Sequence, residues 1–242
     1  MDRSQWLAEK HAEAAQLGVV RLSEVTPSRR DFRLYVAGQR EELALIARIQ
    51  SNDRAGLATW RDADLLAHAV ASDDADIAAL AVVTDQQRGG STGLMKRVAA
   101  ATQAPVLRDD LVLSPAQLYD ARLHGADAVV LPAADLAAAA LAELMHVAIS
   151  LHMAAVVEVQ ATPDIEKALA MPHAVIGFNA DVGAIDELTS RIPPSRTRIV
   201  LREPDAIDEL RSLRGKVDAV TLGPAHLIGH DLSALLARLN GR

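Results

Sequence analysis

The sequence predicts an α/β fold: one (β/α)8 TIM barrel, a single domain preceded by a helical extension. Three observations predict it. Short, β-branched apolar runs alternate with longer helical patterns from residue 44 onward. Eight such strand–helix units fit into about 200 residues, and a closed barrel of this kind takes about 250 in all. The runs are apolar at almost every position, as parallel strands covered on both faces must be.

Residues 3–17 read as an amphipathic helix carrying Trp6, Leu7, Ala14 and Leu17, and residues 28–39 as a second short helix. Together they make an extension over 1–43 that packs on a barrel spanning 44–242. The strand runs fall at 44–50, 77–84, 104–109, 126–132, 154–160, 174–179, 198–202 and 217–223. Helical patterns follow them at 62–71, 92–102, 114–124, 133–151, 163–170, 185–190, 205–213 and 231–239. Strand-then-helix order implies parallel strands with right-handed crossovers. An open doubly wound sheet is the competing architecture. No Gly-x-Gly-x-x-Gly follows the first strand, which disfavours its dinucleotide-binding form. Ser91 after Gly89-Gly90, and Ser114-Pro115, are helix starts. Pro163-Asp164 and Pro204-Asp205 read as two more.

Composition narrows the function. Half of the residues are hydrophobic but only 2% are aromatic, so Ala, Val, Leu and Ile must fill the core. A net charge of −7 without a basic stripe argues against nucleic acid as a partner. The start of the chain is charged, with no apolar leader, and no apolar run is long enough to span a membrane. A cytoplasmic protein acting on a small-molecule substrate is expected, with a homodimer or a pathway-enzyme partner left open. The absence of cysteine removes disulfides, zinc–thiolate sites and Cys nucleophiles. Lysine occurs only at Lys10, Lys96, Lys167 and Lys216, so lysine chemistry has few candidates.

In such barrels the site lies at the C-terminal ends of the strands. Those ends carry Arg48, Gln50, Asp53, Thr84, Asp85, Arg108, Asp109, Asp110, Glu158, Gln160, Asn179, Asp181, Arg202, Glu203, Gly223 and His226. Glu158 interrupts an apolar run, where a carboxylate is costly unless it is paired or serves a site. It reads either as a general base or acid facing the mouth, or as a structural partner of Arg48 or Arg202. Asp109 with Glu158 would make an acid/base pair, whereas Asp110 reads as a loop cap. His226 and His230 flank the last loop but form no compact metal-ligand motif, so no metal is expected. His124 sits at a helix C-terminus, where a cation is favoured. Gln87-Arg88-Gly89-Gly90-Ser91 reads as an ordinary turn before a helix.

Several segments resemble the indole-3-glycerol phosphate synthase family. Pro105-Val106-Leu107-Arg108-Asp109-Asp110-Leu111 resembles its Pro-Val-Leu-Arg-Lys-Asp-Phe motif. Ala121-Arg122, then Gly125-Ala126-Asp127-Ala128-Val129-Val130-Leu131, follow at the family's spacing. Val157-Glu158-Val159, Ile176-Gly177-Phe178-Asn179, Val82-Val83-Thr84-Asp85 and Leu45-Ile46-Ala47-Arg48-Ile49-Gln50 resemble its strands five, six, two and one. Arg30-Asp31-Phe32 also fits. The resemblance implies the barrel, and an enzyme that closes an indole ring with loss of water and carbon dioxide.

The departures fall on the chemistry. Gln50 and Asp109 stand where the resemblance implies two catalytic lysines, and Arg48 where it implies a glutamate. Asp53-Arg54-Ala55 replaces Ser-Pro-Ser, and Arg202-Glu203-Pro204 replaces Glu-Ser-Gly. Arg88 lies near the family's aromatic loop residue. Glu158, Asn179 and Gly223 match. Loss of one catalytic acid commonly costs about 10²–10⁴ in rate. The leading expectation is therefore a repurposed lyase or cyclase in a biosynthetic pathway. Glu158 would be the base, Asp109 the acid or second carboxylate, and Asn179 a hydrogen-bond donor to substrate. Arg48 or Arg202 would bind a substrate anion, and Gln50, Asp53, Arg88, Glu203 and Gly223 would line the site. No cofactor is implied. The alternatives are a non-catalytic ligand- or partner-binding barrel and the family's own reaction carried by rearranged residues.

Overall fold

Strands made of Ala, Val, Ile and Leu on both faces leave no side for water, so they must sit between two apolar layers. The computed structural model, which describes residues 3–17, 22–37, 42–52, 59–75 and 77–241, satisfies that demand with a closed parallel barrel. The strands are β1 (Ala44–Ile49), β2 (Ala79–Val83), β3 (Val106–Leu111), β4 (Ala128–Pro132), β5 (Ala154–Val159), β6 (Val175–Phe178), β7 (Arg198–Val200) and β8 (Ala219–Leu222). They pair in sequence order and β8 closes on β1, with Ala44 opposite Ala219.

Helices α3 (Asp62–Asp74), α4 (Thr92–Ala101), α5 (Pro115–Leu123), α6 (Ala138–Ser150), α7 (Thr162–Ala170) and α8 (Val182–Thr189) cover the outside, followed by two helices after β8, α9 (Pro224–Leu227) and α10 (Leu232–Leu239). Their buried residues join the outward faces of the strands in one apolar layer. Ser91 caps α4 by accepting from Leu94 N at 3.1 Å. The segment between β7 and β8 differs from expectation. It forms a 3-10 helix, Ile207–Leu213, and not an α-helix starting at Pro204-Asp205. A further 3-10 turn, Gln86–Arg88, follows β2.

The barrel interior is a second apolar layer, built from small and branched residues such as Ile46, Ala81, Leu107 and Val156. Packing there is tight enough to require glycine at one point. A Cβ on Gly177 would lie 2.5 Å from Val156 Cγ1 and 2.7 Å from Leu201 Cδ1. Phe32 and Val36 plug the lower end from α2 (Phe32–Val36), a helix shorter than the 28–39 pattern suggested. Arg30 anchors this plug. It pairs with Asp127 at 2.7 Å and donates to the carbonyls of Thr102, Ala104 and Gly125. Asp127 in turn accepts from Ser28 Oγ, Val106 N and Arg122. Arg30-Asp31-Phe32 is thus a structural motif that seals the end opposite the mouth.

Strand β3 runs two residues further than expected, to Leu111. Against β4 its register jumps: Arg108 faces Val129, and Leu111 faces Val130, the next residue along. Such a bulge re-aims side chains near sites. Here it leaves both Asp109 and Asp110 buried and facing the mouth. Asp110 lies within the strand; its Oδ1 accepts from Leu111 N at 2.9 Å, and the carboxylate also pairs with Lys10 and Arg108. Among the described residues no helix is long and apolar enough to cross a membrane.

Candidate active site

The C-terminal ends of the strands surround a cavity of about 600 Å³. That is the size range of small-molecule sites, roughly 300–1,000 Å³. Arg48, Gln50, Arg88, Asp109, Glu158, Asn179, Arg202 and Glu203 all line it, over a floor of Leu111, Val130 and Leu201. Gly223 stands just behind Glu203. Asp53, with Arg54 and Ala55, lies outside the described residues.

The first arc, from β1 to β3, is an ionic network. Arg48 Nε donates to Asp109 Oδ2 at 2.7 Å, and Arg48 Nη2 donates to the Leu201 carbonyl at 2.7 Å. Arg88 Nη1 lies 3.6 Å from Asp109 Oδ1, and Arg88 Nη2 donates to Gln50 Oε1 at 2.7 Å. Gln50 passes the chain on by donating to the Asn52 carbonyl. Burial pushes the Asp109 carboxyl up, but Arg48 and Arg88 outweigh it and hold the group below the usual carboxylate range. Asp109 thus stays ionised at neutral pH and has no proton to give. That arrangement favours the second-carboxylate reading of Asp109 over the acid one.

Arg48 and Asp109, at the positions where the resemblance implies a glutamate and a lysine, thus bond to each other.

The second arc joins β5 to β6. Glu158 is buried, and its Oε1 accepts from Gln160 Nε2 at 2.6 Å while its Oε2 accepts from Asn179 Nδ2 at 3.1 Å. Arg48 is engaged by Asp109, and Arg202 by Asp181 at 2.7 Å. An amide has two N–H donors, so Asn179 can hold Glu158 with one and reach a ligand with the other.

The third arc lies after β7 and β8. Glu203 Oε1 accepts from Gly223 N at 3.0 Å and from His226 Nδ1 at 2.7 Å, and Arg48 Nη1 is 3.9 Å from its Oε2. Burial pushes Glu203 up, but His226, Arg48 and the Gly223 N–H bring it below the usual range.

A fourth contribution comes from helix α1 (Arg3–Gln16), whose Trp6 lines the cavity from above. Its indole Nε1 donates to Asp85 Oδ2 at 3.0 Å. One turn on, Lys10 is almost wholly enclosed, 3.1 Å from Asp85 Oδ1 and 3.1 Å from Asp110 Oδ1. Burial pulls the Lys10 ammonium down, but Asp110, Glu13 and Asp85 raise it on balance. Burial dominates at Asp110 and pushes it up against Arg108 and Lys10. Strand-end reasoning missed Lys10 because it lies in the extension. The i, i+4 spacing of Trp6 and Lys10, which puts both on one helix face, was the available signal. His124 caps α5 and pairs with Asp120, away from this cavity.

A model of the indole-3-glycerol phosphate synthase family matches residues 1–239. The chain is 32% identical to the indole-3-glycerol phosphate synthase of Nocardioides sp., over 97% of this chain and 94% of that one. It is 32% identical to the Parafrankia sp. enzyme of the same name, over 96% and 90%. Among solved structures, KGPDC from Streptococcus mutans aligns with a TM-score of 0.60 at 10% identity, covering 82% of this chain and 96% of that one. Monomers of the dimeric phosphoribosylanthranilate isomerase of Thermotoga maritima align at 0.59 and 13%, covering 83% and 100%. At such identities these structures speak for the barrel alone.

Proposed function

The chain belongs to the indole-3-glycerol phosphate synthase family, and from that premise we propose that it is a repurposed member. In this reading it is a lyase or cyclase that removes water or carbon dioxide from a small biosynthetic substrate. The observation that carries it is the contrast inside one cavity. Glu158 and Asn179 put a carboxylate at the mouth, while Gln50 and Asp109, which stand where the resemblance implies lysines, are tied into the Arg48–Asp109–Arg88–Gln50 network.

Glu158 takes the proton from the substrate. Gln160 and Asn179 fix its orientation, so it meets the proton without reorganising. Asp109, held ionised between two guanidinium groups, fixes Arg48 and Arg88 in the wall of the site. Arg88, more than a third exposed at its side chain, is the arginine of the first arc with most access to a substrate carboxylate.

The test is calorimetry and turnover with the family's anthranilate-derived phosphorylated precursor, its dephosphorylated form and carboxylated aromatic analogues. Binding of an unphosphorylated compound, abolished by Glu158→Gln, supports the proposal. Turnover of the phosphorylated precursor overturns it in favour of the family's own reaction, which the identity to named synthases over nearly the whole chain supports.

A further inference from the structure

Phosphate-handling (β/α)8 barrels commonly grip the phosphate with the loops after strands seven and eight. In this chain the same place already contains an anion. Glu203 follows β7, and its carboxylate is buried against the loop after β8. The Gly223 N–H at 3.0 Å and His226 Nδ1 at 2.7 Å both point at Oε1, and the Arg48 guanidinium stands beside Oε2. These are the donor types that hold an oxyanion: a backbone amide, an imidazole and a guanidinium. The fit is close, since a Cβ on Gly223 would lie 2.5 Å from Glu203 Oε1 and 2.6 Å from Oε2. A larger residue at 223 would push that carboxylate out of its present position.

We infer that Glu203 is a built-in anion that occupies the oxyanion cradle from within, so that the site takes a substrate bearing no phosphate at this end. Two further observations agree. Glu203 and Arg202 line both the main cavity and a neighbouring cleft of about 480 Å³, so the carboxylate stands between the two spaces. Asp205, Asp208 and Glu209 line the cleft beyond. A dianion arriving there would meet carboxylates, and the cradle's donors are already engaged. The inference rests on the proposed repurposing only for the word substrate, because emptiness or occupancy of the cradle is a matter of binding.

The experiment titrates inorganic phosphate into wild type, Glu203→Ala and Glu203→Gln, by calorimetry and by phosphorus NMR. Wild type should show no saturable binding. Glu203→Ala, with the cradle vacated, should bind at least about tenfold more tightly than wild type. Glu203→Gln keeps the space filled and should gain much less. Adding His226→Ala to Glu203→Ala should cancel the gain. Equal phosphate binding by wild type and Glu203→Ala overturns the inference, and so does a folded Glu203→Ala that binds no phosphate. If Glu203→Ala does not fold, the His226 imidazole resonances of wild type decide. They stay put as phosphate is added if Glu203 holds the cradle, and a saturable shift overturns the inference. Neither result depends on turnover, so failure here and failure of the lyase reading are separable.

Discussion

Glu158 and Asp109 are two buried carboxylates on the wall of one cavity, yet the side-chain hydrogen bonds seen at each among the described residues differ. Asp109 is gripped by Arg48 at 2.7 Å and flanked by Arg88. Glu158 is held by the amides of Gln160 and Asn179. A guanidinium neutralises the charge it binds; an amide orients a carboxylate without taking its charge. The β5–β6 arc is thus built to aim a carboxylate, and the β1–β3 arc to hold one still. One cavity wall can thus give two carboxylates opposite settings, one locked in an ionic network and one oriented by amides.

The comparison breaks most visibly at Glu158. Glu158→Gln preserves the shape but gives up one of the two acceptors that Gln160 and Asn179 use, so turnover of the true substrate should fall by about 10²–10⁴ while stability falls by only about 1 kcal/mol. An unchanged rate would remove Glu158 from the chemistry. Arg48→Met should do the reverse and act on stability. Leaving Asp109 buried without its principal cation costs about 3–5 kcal/mol, measurable by urea denaturation. Much of that loss should return in Arg48→Met/Asp109→Leu; no recovery would mean that the pair does not act as a unit.

Lys10→Met should cost less, about 1.5–3 kcal/mol for charge-assisted bonds. Hydrogen exchange should show the loss concentrated in α1, with barrel amides unaffected. Uniform loss across the barrel would contradict a local docking role. The smallest effect at neutral pH is titration. Asp109 and Glu203 are both depressed below their ordinary range, so their stabilising contribution is complete above the unfolded-state carboxylate pKa. It is lost as pH falls through their lower folded values. Asp110, which burial raises, runs the other way and is relieved by acid. Acid melts of Glu203→Gln should therefore be flatter than those of wild type.

The barrel was legible because its signal is repeated. Eight apolar runs with intervening helical periods leave little choice of architecture, and small errors at element ends do not alter it. The candidate site was legible where a polar residue broke an apolar run, as at Glu158 and Asn179. It was not legible where geometry depends on register. The bulge that brings Asp109 and Asp110 to the mouth together leaves no mark in composition. The pairing of Arg48 with Asp109 spans 61 positions, and that of Glu203 with His226 crosses from one strand unit to the next. Pro204-Asp205 looked like a helix start by local chemistry, but the segment between β7 and β8 winds more tightly as a 3-10 helix.

Lys10 reaches Asp110 across 100 residues of chain. Its two anchoring carboxylates, Asp85 and Asp110, are brought side by side only by the pairing of β2 with β3. Among the described residues, no backbone hydrogen bond joins α1 to the barrel. The loop-closure entropy of so long a connection must be met before the contact returns anything. Helix α1 is therefore expected to dock late in folding, on a surface that β2 and β3 have to assemble first. Local opening of α1 with the barrel intact is the expected consequence. The roof of the cavity is completed after its walls, and the exposure of Trp6 in a folding time course would record that last step.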